Sequence, residues 1–367
     1  MRGLYIHIPF CRQKCKYCDF ISFTDKSELY SKYISALSQE MAEYRGEKID
    51  TVFIGGGTPT ALNSSELNML LGECFKNFNI LPEYEFTVEA NPGTLDEYKI
   101  KTLLNGGVNR ISVGVQSFND EELVKIGRIH DAKTAYNTIC QLSKLGFSNI
   151  NLDLMTALPD QSMKSLENTI NTALELPVTH ISAYSLILEE GTPLEKEYSK
   201  GLITVPDEIS DREMYAMTIE KLRQNGFFQY EISNFAKSGF ECQHNIKYWQ
   251  CREYIGIGVA AHSYMNGVRY YNTSDFFEYL SGEKHCGDKT LLTEADMISE
   301  FMIMGLRMND GISEQEFERR FGKPIDAVYK KSLDKFADGE FLMRKNGVIR
   351  LTDRGRDVSN SVLCEFV

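Results

Sequence analysis

Short apolar segments alternate with segments of helical periodicity through the first half of the chain, and this alternation limits the folds that are open to it. Helical periodicity fills intervals such as Glu28–Tyr44, Ser64–Phe75, Asp131–Leu145 and Ser162–Leu174. Such alternation implies right-handed βαβ units and a parallel sheet. Six units favour an α/β fold of the partial (β/α)6 barrel type, although a doubly wound open sheet has the same local pattern. The six strands are predicted at Leu4–Phe10, Thr51–Gly55, Glu85–Ala90, Arg110–Val115, Asn151–Thr156 and His180–Leu186.

The pattern changes after about residue 206, and three parts are expected along the chain. Residues 1–235 are predicted to form the partial barrel, 236–290 a connecting region, and 291–367 a separate C-terminal module. A helix at Asp211–Gln224 precedes an aromatic stretch without βαβ rhythm. In the last part, helical segments lead to two apolar runs joined by Asn346-Gly347, which is a strong hairpin signal. This order indicates an α+β module that resembles a winged helix.

The charge balance and cysteine content narrow the function classes. The chain of 367 residues has 40 basic and 52 acidic residues, a net charge of −12, which disfavours general nucleic-acid binding. The first residues lack the apolar run of a secretory signal, and no stretch approaches a membrane span. We therefore expect a cytoplasmic protein, in which the nine cysteines are thiols or metal ligands rather than a disulfide framework.

Three cysteines lie within eight residues directly after the first predicted strand. Cys11, Cys15 and Cys18 are spaced by four and then three residues, with no fourth cysteine nearby. Three thiolates can hold three corners of a [4Fe–4S] cluster and leave its fourth iron open to an external ligand. A zinc site completed by a distant His or Asp, or chance clustering in a loop, would produce the same spacing.

Other polar and glycine-containing segments follow the ends of the later strands. They read "GGGTP" after the second strand, "EANP" around the third, "GVQSF" after the fourth and "DLMTALP" in the fifth. The carboxyl ends of parallel strands form the active-site face of such folds. The sequence therefore places these residues where chemistry is expected.

The spacing of Cys11, Cys15 and Cys18, together with "GGGTPT", resembles the signature of the radical S-adenosylmethionine superfamily. This resemblance implies a partial (β/α)6 barrel in which S-adenosylmethionine chelates the open iron of a [4Fe–4S] cluster. An electron donor then reduces the cluster, which cleaves the sulfonium to a 5′-deoxyadenosyl radical. The cofactors supply the chemistry and the protein supplies the geometry.

Within this resemblance the strand-end residues have physically reasonable roles. The run Gly55–Gly57 would let the backbone approach the methionine amino group closely, although a glycine run alone also fits a turn. Glu89, Gln116 and Asp153 are candidates to bind ribose, ammonium or carboxylate groups. Arg128 is a candidate partner for the methionine carboxylate, and its alternative is a surface ion pair with neighbouring acids.

Four longer segments, "YIHIPFCRQKCKYCDF", "FIGGGTPT", "ISVGVQSF" and "INLDLMTALP", resemble one branch of the superfamily. It contains oxygen-independent coproporphyrinogen III dehydrogenase and the HemW-type haem chaperones. The dehydrogenase uses two S-adenosylmethionine molecules, so a second-site role for some residues depends on which member this chain is. No residue is assigned a catalytic role. The positions that the resemblance implies for S-adenosylmethionine binding are Tyr5, Tyr17, Gly56, Gly57, Thr58, Glu89, Gln116, Arg128, Asp153 and, with less secure spacing, Ile187.

Two departures favour the chaperone over the dehydrogenase. Phe20 stands where the dehydrogenase carries a further cysteine, and the first strand begins almost at Met1, where that enzyme has an N-terminal extension. The stretch from His244 to Trp249, "HNIKYW", is similar to the chaperone's HNxxYW signature. His244 is therefore the candidate axial ligand for haem iron, and Tyr248 and Trp249 are candidates to pack on a porphyrin; a structural, hydrogen-bonded His244 is the alternative.

The expected partners are haem or another tetrapyrrole, a haem-accepting protein and an electron donor. The alternative function is oxidative decarboxylation of coproporphyrinogen III, and a radical enzyme with an unrelated substrate is a third possibility. Among other residues, His7 is predicted to be a satisfied core residue and His262 is a secondary haem candidate. Cys242 and Cys251 flank the HNxxYW stretch and are possible haem neighbours or small core residues.

Overall fold

Six parallel strands form the centre of the molecule, as the alternation predicts. The structure is a computed structural model that describes residues 1–282 and 287–367. The six strands lie side by side in sequence order, whereas a doubly wound sheet reverses its strand order. The two outer members pair with other strands instead of with each other, so the barrel is incomplete. The strands are β1 (Arg2–Ile8), β2 (Lys48–Gly56), β3 (Asn79–Ala90), β4 (Arg110–Gln116), β5 (Ile150–Thr156) and β6 (His180–Ser185).

Helices cover the connections between these strands, and their boundaries follow ordinary capping rules. Asn63 accepts a hydrogen bond from the backbone of Glu66, whose side chain bonds back to the Asn63 N–H, which is a complete capping box. Asp131 and Ser162 cap the next long helices in the same way, each from its side-chain oxygen. The apolar faces of the helices pack on the sheet and form one continuous core with it. The helices are α1 (Tyr30–Glu43), α2 (Ser64–Asn77), α3 (Glu97–Asn105), α4 (Asp120–Lys125), α5 (Ala132–Leu145), α6 (Met163–Leu174), α7 (Pro193–Ser199) and α8 (Glu208–Gln224).

Residues 236–290, expected to be a connecting region, instead extend the same sheet. After a short hairpin beside β6, the chain returns to the opposite edge, where a strand pairs parallel with β1 and three more follow antiparallel. The sequence gives little sign of these strands because each has only three or four residues. The added elements are β7 (Phe228–Glu231), β8 (Asn234–Ala236), α9 (Gln243–Trp249), β9 (Tyr254–Ile257), β10 (His262–Met265), β11 (Val268–Tyr271), α10 (Phe276–Ser281) and β12 (Lys289–Leu291).

The C-terminal part has its own hydrophobic core and a three-stranded antiparallel sheet, as the winged-helix resemblance predicts. Asn346 and Gly347 both have positive φ angles, 54° and 74°, and they join the last two strands as a tight hairpin. A bridge between Glu231 and Met308 connects this part to β7. Its elements are α11 (Glu294–Gly305), β13 (Ile312–Ser313), α12 (Glu314–Phe321), α13 (Asp326–Asp334), β14 (Leu342–Lys345), β15 (Val348–Leu351), α14 (Asp353–Asp357) and α15 (Ser359–Leu363).

Among the helices of residues 1–282 and 287–367, none is both long and apolar enough to cross a bilayer.

Candidate functional site

The three cysteines lie in one loop that is fastened at its base to the end of β1. Backbone hydrogen bonds join Phe23 N to Pro9 O at 2.7 Å and Cys11 N to Phe23 O at 3.0 Å, which closes the loop. Within it, Cys18 N donates to Cys15 O at 3.3 Å. All three thiols are free and half-buried at the carboxyl end of the sheet. The fold therefore presents three soft donors from one short segment.

Three thiols from one short loop are a possible ligand set for a multinuclear cluster. Across the described residues, no group of three or more His, Cys, Asp or Glu side chains is arranged to hold one ion. Three thiolates of a cubane cluster bind three different irons, so they need no common centre. Arg128 Nη1 donates to Cys15 Sγ at 3.3 Å, and burial raises the pKa of the Cys11 and Cys18 thiols. Metal binding deprotonates such thiols and offsets the free-energy cost of forming a thiolate in a partly buried site.

The glycine segment after β2 lies directly against the cysteine loop. Gly57 N donates to Ile8 O at 2.9 Å, and Thr58 N donates to Phe10 O at 2.7 Å. A Cβ on Gly57 would lie 2.7 Å from Phe10 O and 2.8 Å from Ile8 O, so only glycine fits. The Thr58 hydroxyl lies 3.6 Å from Cys11 Sγ. This segment therefore sets the position from which the cysteine loop begins.

Two buried carboxyl groups face the interior beyond the glycines. Glu89 Oε2 accepts the Gly56 N–H at 3.1 Å, and burial, with a further contribution from the Asp153 charge, raises the pKa of Glu89 to about 7. Burial also raises the pKa of Asp153, which accepts from Asn151 Nδ2 at 2.7 Å and from Ser112 Oγ at 3.4 Å. Two acids held in a low-dielectric site are suited to a ligand that brings positive charge and hydroxyl groups.

Arg128 is an interior residue and not part of a surface ion pair. Its Nη2 atom donates to Asn91 Oδ1 at 2.6 Å and to the carbonyl of Gly114. Its Nε atom is buried without a hydrogen-bond partner among the described residues. Sequence reasoning missed Asn91 as a site residue, although it lies in the "EANP" segment at the end of the third strand.

Gln116 lies at the end of β4 with a φ of 69°, an uncommon angle for a residue with a side chain. Its Oε1 atom accepts from the Tyr184 hydroxyl at 3.1 Å. Tyr184 is a second site residue that sequence reasoning missed, because the sequence of β6 alone does not show which side chains of the strand face the cavity.

One cavity of about 150 Å³ collects most of the predicted site residues at the carboxyl ends of the strands. We call it the cysteine cavity. Residues from all six strands or the loops that follow them meet there, although they are far apart in sequence. The predicted residues that line it are Cys11, Cys15, Tyr17, Cys18, Gly56, Gly57, Thr58, Glu89, Gln116, Arg128 and Asp153.

Two residues implied for S-adenosylmethionine binding do not line this cavity. The Tyr5 hydroxyl lies 3.0 Å from His7 Nδ1, and its side chain lines a different cavity. His7 also bonds Ile21 O at 2.9 Å through its other nitrogen, as expected for a satisfied core histidine. Ile187 follows β6 with 67% of its surface exposed and lines neither cavity. The role of Tyr5 and Ile187 in S-adenosylmethionine binding stays a prediction.

A second cavity, of about 580 Å³, lies between the β1 edge of the sheet and α11. We call it the aromatic cavity. Phe20, two residues after Cys18, lines both cavities and is 64% exposed, so the two spaces adjoin at this side chain. Met304 of α11 closes the opposite side. The aromatic residues of the wall are Tyr5, Phe20, Tyr248, Trp249, Tyr254 and Tyr264.

Both ring nitrogens of His244, the candidate haem ligand of the sequence analysis, are hydrogen-bonded in the structure. His244 is buried, with Nδ1 bonded to Thr51 Oγ1 at 3.0 Å and Nε2 bonded to the Tyr248 hydroxyl at 2.9 Å. Burial, with a smaller effect of Lys247, lowers its pKa to about 3. The ring cannot bind iron without losing one of these bonds. Its evident role is to fix α9 against β2, which brings Tyr248 and Trp249 to the aromatic cavity.

The other haem candidates divide between core and cavity. Cys242 is buried, lines neither cavity and contacts Glu85 Oε1 at 3.6 Å. Cys251 and His262 both line the aromatic cavity. Burial raises the pKa of Cys251 to about 11, so that thiol is protonated at neutral pH.

Comparison with known proteins gives two family matches along the chain. The Radical SAM superfamily matches residues 5–173, which contain the cysteine loop and the first five strands. The HemN C-terminal domain matches residues 292–358, which correspond to the C-terminal unit.

Individual relatives match the whole chain. A Bacillus subtilis protein named heme chaperone HemW is 38% identical, and the match covers 100% of this chain and 99% of the relative. The heme chaperone HemW of Escherichia coli is 34% identical over 100% of this chain and 98% of its own length. The solved structure of coproporphyrinogen III oxidase (HemN) from Escherichia coli superposes with a TM-score of 0.87 at 22% identity, covering 99% of this chain and 89% of that chain. That superposition supports the fold.

Proposed function

The chain belongs to the HemW branch of the radical S-adenosylmethionine superfamily, and we propose that it is a haem chaperone, which binds one haem and delivers it to a haem-accepting protein. We further propose that it acts in the cytoplasm, where its cysteines stay reduced and available as ligands.

The cysteine cavity is the proposed site of the [4Fe–4S] cluster and S-adenosylmethionine. Cys11, Cys15 and Cys18 would hold the cluster, and the Arg128 guanidinium and the Glu89 carboxyl would bind the nucleoside cofactor. When bound, a cluster with one iron free of protein ligands supplies the coordination site and, once reduced, the electron for cleavage of S-adenosylmethionine. An electron donor that reduces the cluster is therefore a further proposed partner. Tyr17, Gly57, Thr58, Gln116 and Asp153 are proposed to complete the contacts.

The observation that carries the haem proposal is the aromatic cavity beside the cysteine loop. Its volume of about 580 Å³ lies within the range of about 300–1,000 Å³ that is typical of small-molecule sites. Planar aromatic walls suit a planar apolar macrocycle. The wall residue shared with the cysteine cavity is Phe20, the position where the dehydrogenase has a cysteine. A bulky apolar side chain there extends the haem surface and adds no further thiol near the cluster.

A second candidate function, oxidation of coproporphyrinogen III, is favoured by the fold match with the solved oxidase. Both functions need a cavity for a tetrapyrrole, so cavity shape does not separate them. The chaperone is preferred because relatives named heme chaperone match at 34–38% identity over the whole chain, whereas the oxidase match has 22% identity.

Absorbance titration of the anaerobically reconstituted protein with haem tests the proposal. We expect saturable binding of one haem per chain. Met304→Trp places a large ring in the aromatic cavity and should weaken haem binding at least tenfold, while iron and sulfide contents stay unchanged. Met69→Trp, at a 48% exposed position of α2, is the matched control and should bind haem normally. Equal haem affinity in both variants would show that haem binds elsewhere, and absence of saturable binding would refute the chaperone proposal.

A further inference from the structure

His262 is the histidine of the aromatic cavity whose ring is available for a ligand. It begins β10, its side chain is exposed, and it lines the cavity. Its ring stacks on that of Tyr271, with centroids 5.3 Å apart and planes inclined by 30°, so its orientation is held by packing. Within residues 1–282 and 287–367, no hydrogen bond to either ring nitrogen is found. In contrast, both nitrogens of His7 and of His244 have partners.

Burial and a neighbouring cation disfavour protonation of this imidazole. Partial burial, together with the nearby Arg269 cation, lowers the pKa of His262. Arg269 forms a salt bridge with Glu300, in which Nε donates to Oε1 at 2.8 Å and Nη2 donates to Oε2 at 2.7 Å. Its guanidinium also lies over the Tyr264 ring. A neutral imidazole with a free nitrogen is a strong ligand for haem iron.

Arg252 offers the charge that a haem carboxylate would need. It lines the same cavity and is exposed, and none of the side chains in the described parts of the chain pairs with its guanidinium. An unpaired guanidinium at the edge of an apolar cavity suits a propionate, because its two parallel N–H groups can donate to the two oxygens of one carboxylate.

Resting on the proposed haem chaperone function, we propose that His262 is the axial ligand of the haem iron in the aromatic cavity and that Arg252 binds a haem propionate. His244 is then a positioning residue. Its two hydrogen bonds, to Thr51 and Tyr248, hold the wall of the cavity and leave the ligand role to a histidine outside the HNxxYW stretch.

The test compares haem binding and spectra of four variants in cluster-reconstituted full-length protein. His262→Gly should weaken haem binding about tenfold or more and remove the imidazole signature from the absorbance and electron paramagnetic resonance spectra. Added imidazole should restore that signature, because it fills the space the side chain has left. His244→Gln should alter affinity through the wall that it positions and retain the imidazole signature. Cys251→Ala should leave the spectra unchanged, and Arg252→Gln should weaken binding without altering the iron ligand.

The outcomes separate this inference from the function on which it rests. Without saturable haem binding by the wild-type protein, both the chaperone proposal and the inference fail. Normal wild-type binding with an unchanged spectrum in His262→Gly overturns only the ligand assignment. Loss of the imidazole signature in His244→Gln alone would return the ligand role to the motif histidine. Conversion to another ligand type in Cys251→Ala would assign the iron to that thiol.

Discussion

Replacing Gly57 by alanine should destabilise the barrel and displace the cysteine loop. The new Cβ would lie 2.7 Å from Phe10 O, 2.8 Å from Ile8 O and 2.9 Å from Phe10 N, all of them backbone atoms that cannot rotate away. Overpacking of this kind costs about 1–3 kcal/mol. To relieve this clash, the glycine segment must move away from the end of β1. That movement breaks the hydrogen bonds of Gly57 N to Ile8 O and of Thr58 N to Phe10 O, at about 1 kcal/mol each. The total is about 3–5 kcal/mol, and Cys11 must shift with Phe10.

Two measurements follow this change. Denaturant unfolding of the apoprotein should show the lost stability, and iron and sulfide analysis after anaerobic reconstitution should show substoichiometric cluster. Gly72→Ala is the matched control, because Gly72 lies inside α2 with no atom within 4 Å of its built Cβ. That change should stabilise the helix by about 1 kcal/mol and leave the iron content unchanged. Wild-type unfolding and full iron content in Gly57→Ala would refute the role given to this contact.

Three further predictions concern the two cavities. Cys15→Ser should prevent assembly of a complete cluster after reconstitution, whereas Cys140→Ser, at an exposed position of α5, should not; full iron and a normal Mössbauer spectrum in the first variant would contradict the ligand assignment. The affinity for S-adenosylmethionine, measured by calorimetry, should rise with pH across the raised pKa of about 7 of Glu89, because the cationic ligand favours the ionised carboxylate that forms above it. Glu89→Gln should bind more weakly with a flatter pH dependence, and equal pH profiles would move the ligand elsewhere. Phe20→Ala should weaken haem binding and keep the iron content, and an unchanged haem affinity would separate Phe20 from the haem site.

The sequence predicted the parallel core and the residues at its strand ends because chain direction determines where these residues meet. Glu89 and Gln116 lie at the carboxyl ends of the parallel strands β3 and β4, and Asp153 lies inside the next strand, β5, opposite Gly114 of β4. Strand direction and order therefore account for much of their convergence. Tyr5 lies inside β1 and pairs with His7, two residues on, so alternation directs both side chains to the same face, where they line the aromatic cavity.

The features that the sequence did not predict depend on long-range contacts. The pairing of β9 with β1 joins segments about 250 residues apart, and nothing local in "YIGI" indicates it. The hydrogen bonding of His244 likewise depends on Thr51, a residue of β2 that is distant in sequence and bonds to one of its ring nitrogens. The HNxxYW pattern drew attention to Tyr248 and Trp249, which line the aromatic cavity, but it could not show the two hydrogen bonds of His244, because a pattern shows which residues are present and not which bonds they make.

Product analysis of the tetrapyrrole decides most directly whether it is cargo or substrate. The reconstituted protein is incubated anaerobically with S-adenosylmethionine, a reductant and either haem or coproporphyrinogen III, and the tetrapyrrole is then extracted for mass spectrometry. A haem chaperone should return one chemically unchanged haem per chain and coproporphyrinogen III with all of its propionates intact. Multiple turnovers of coproporphyrinogen III to protoporphyrinogen IX would contradict this account and identify the protein as an enzyme of tetrapyrrole synthesis.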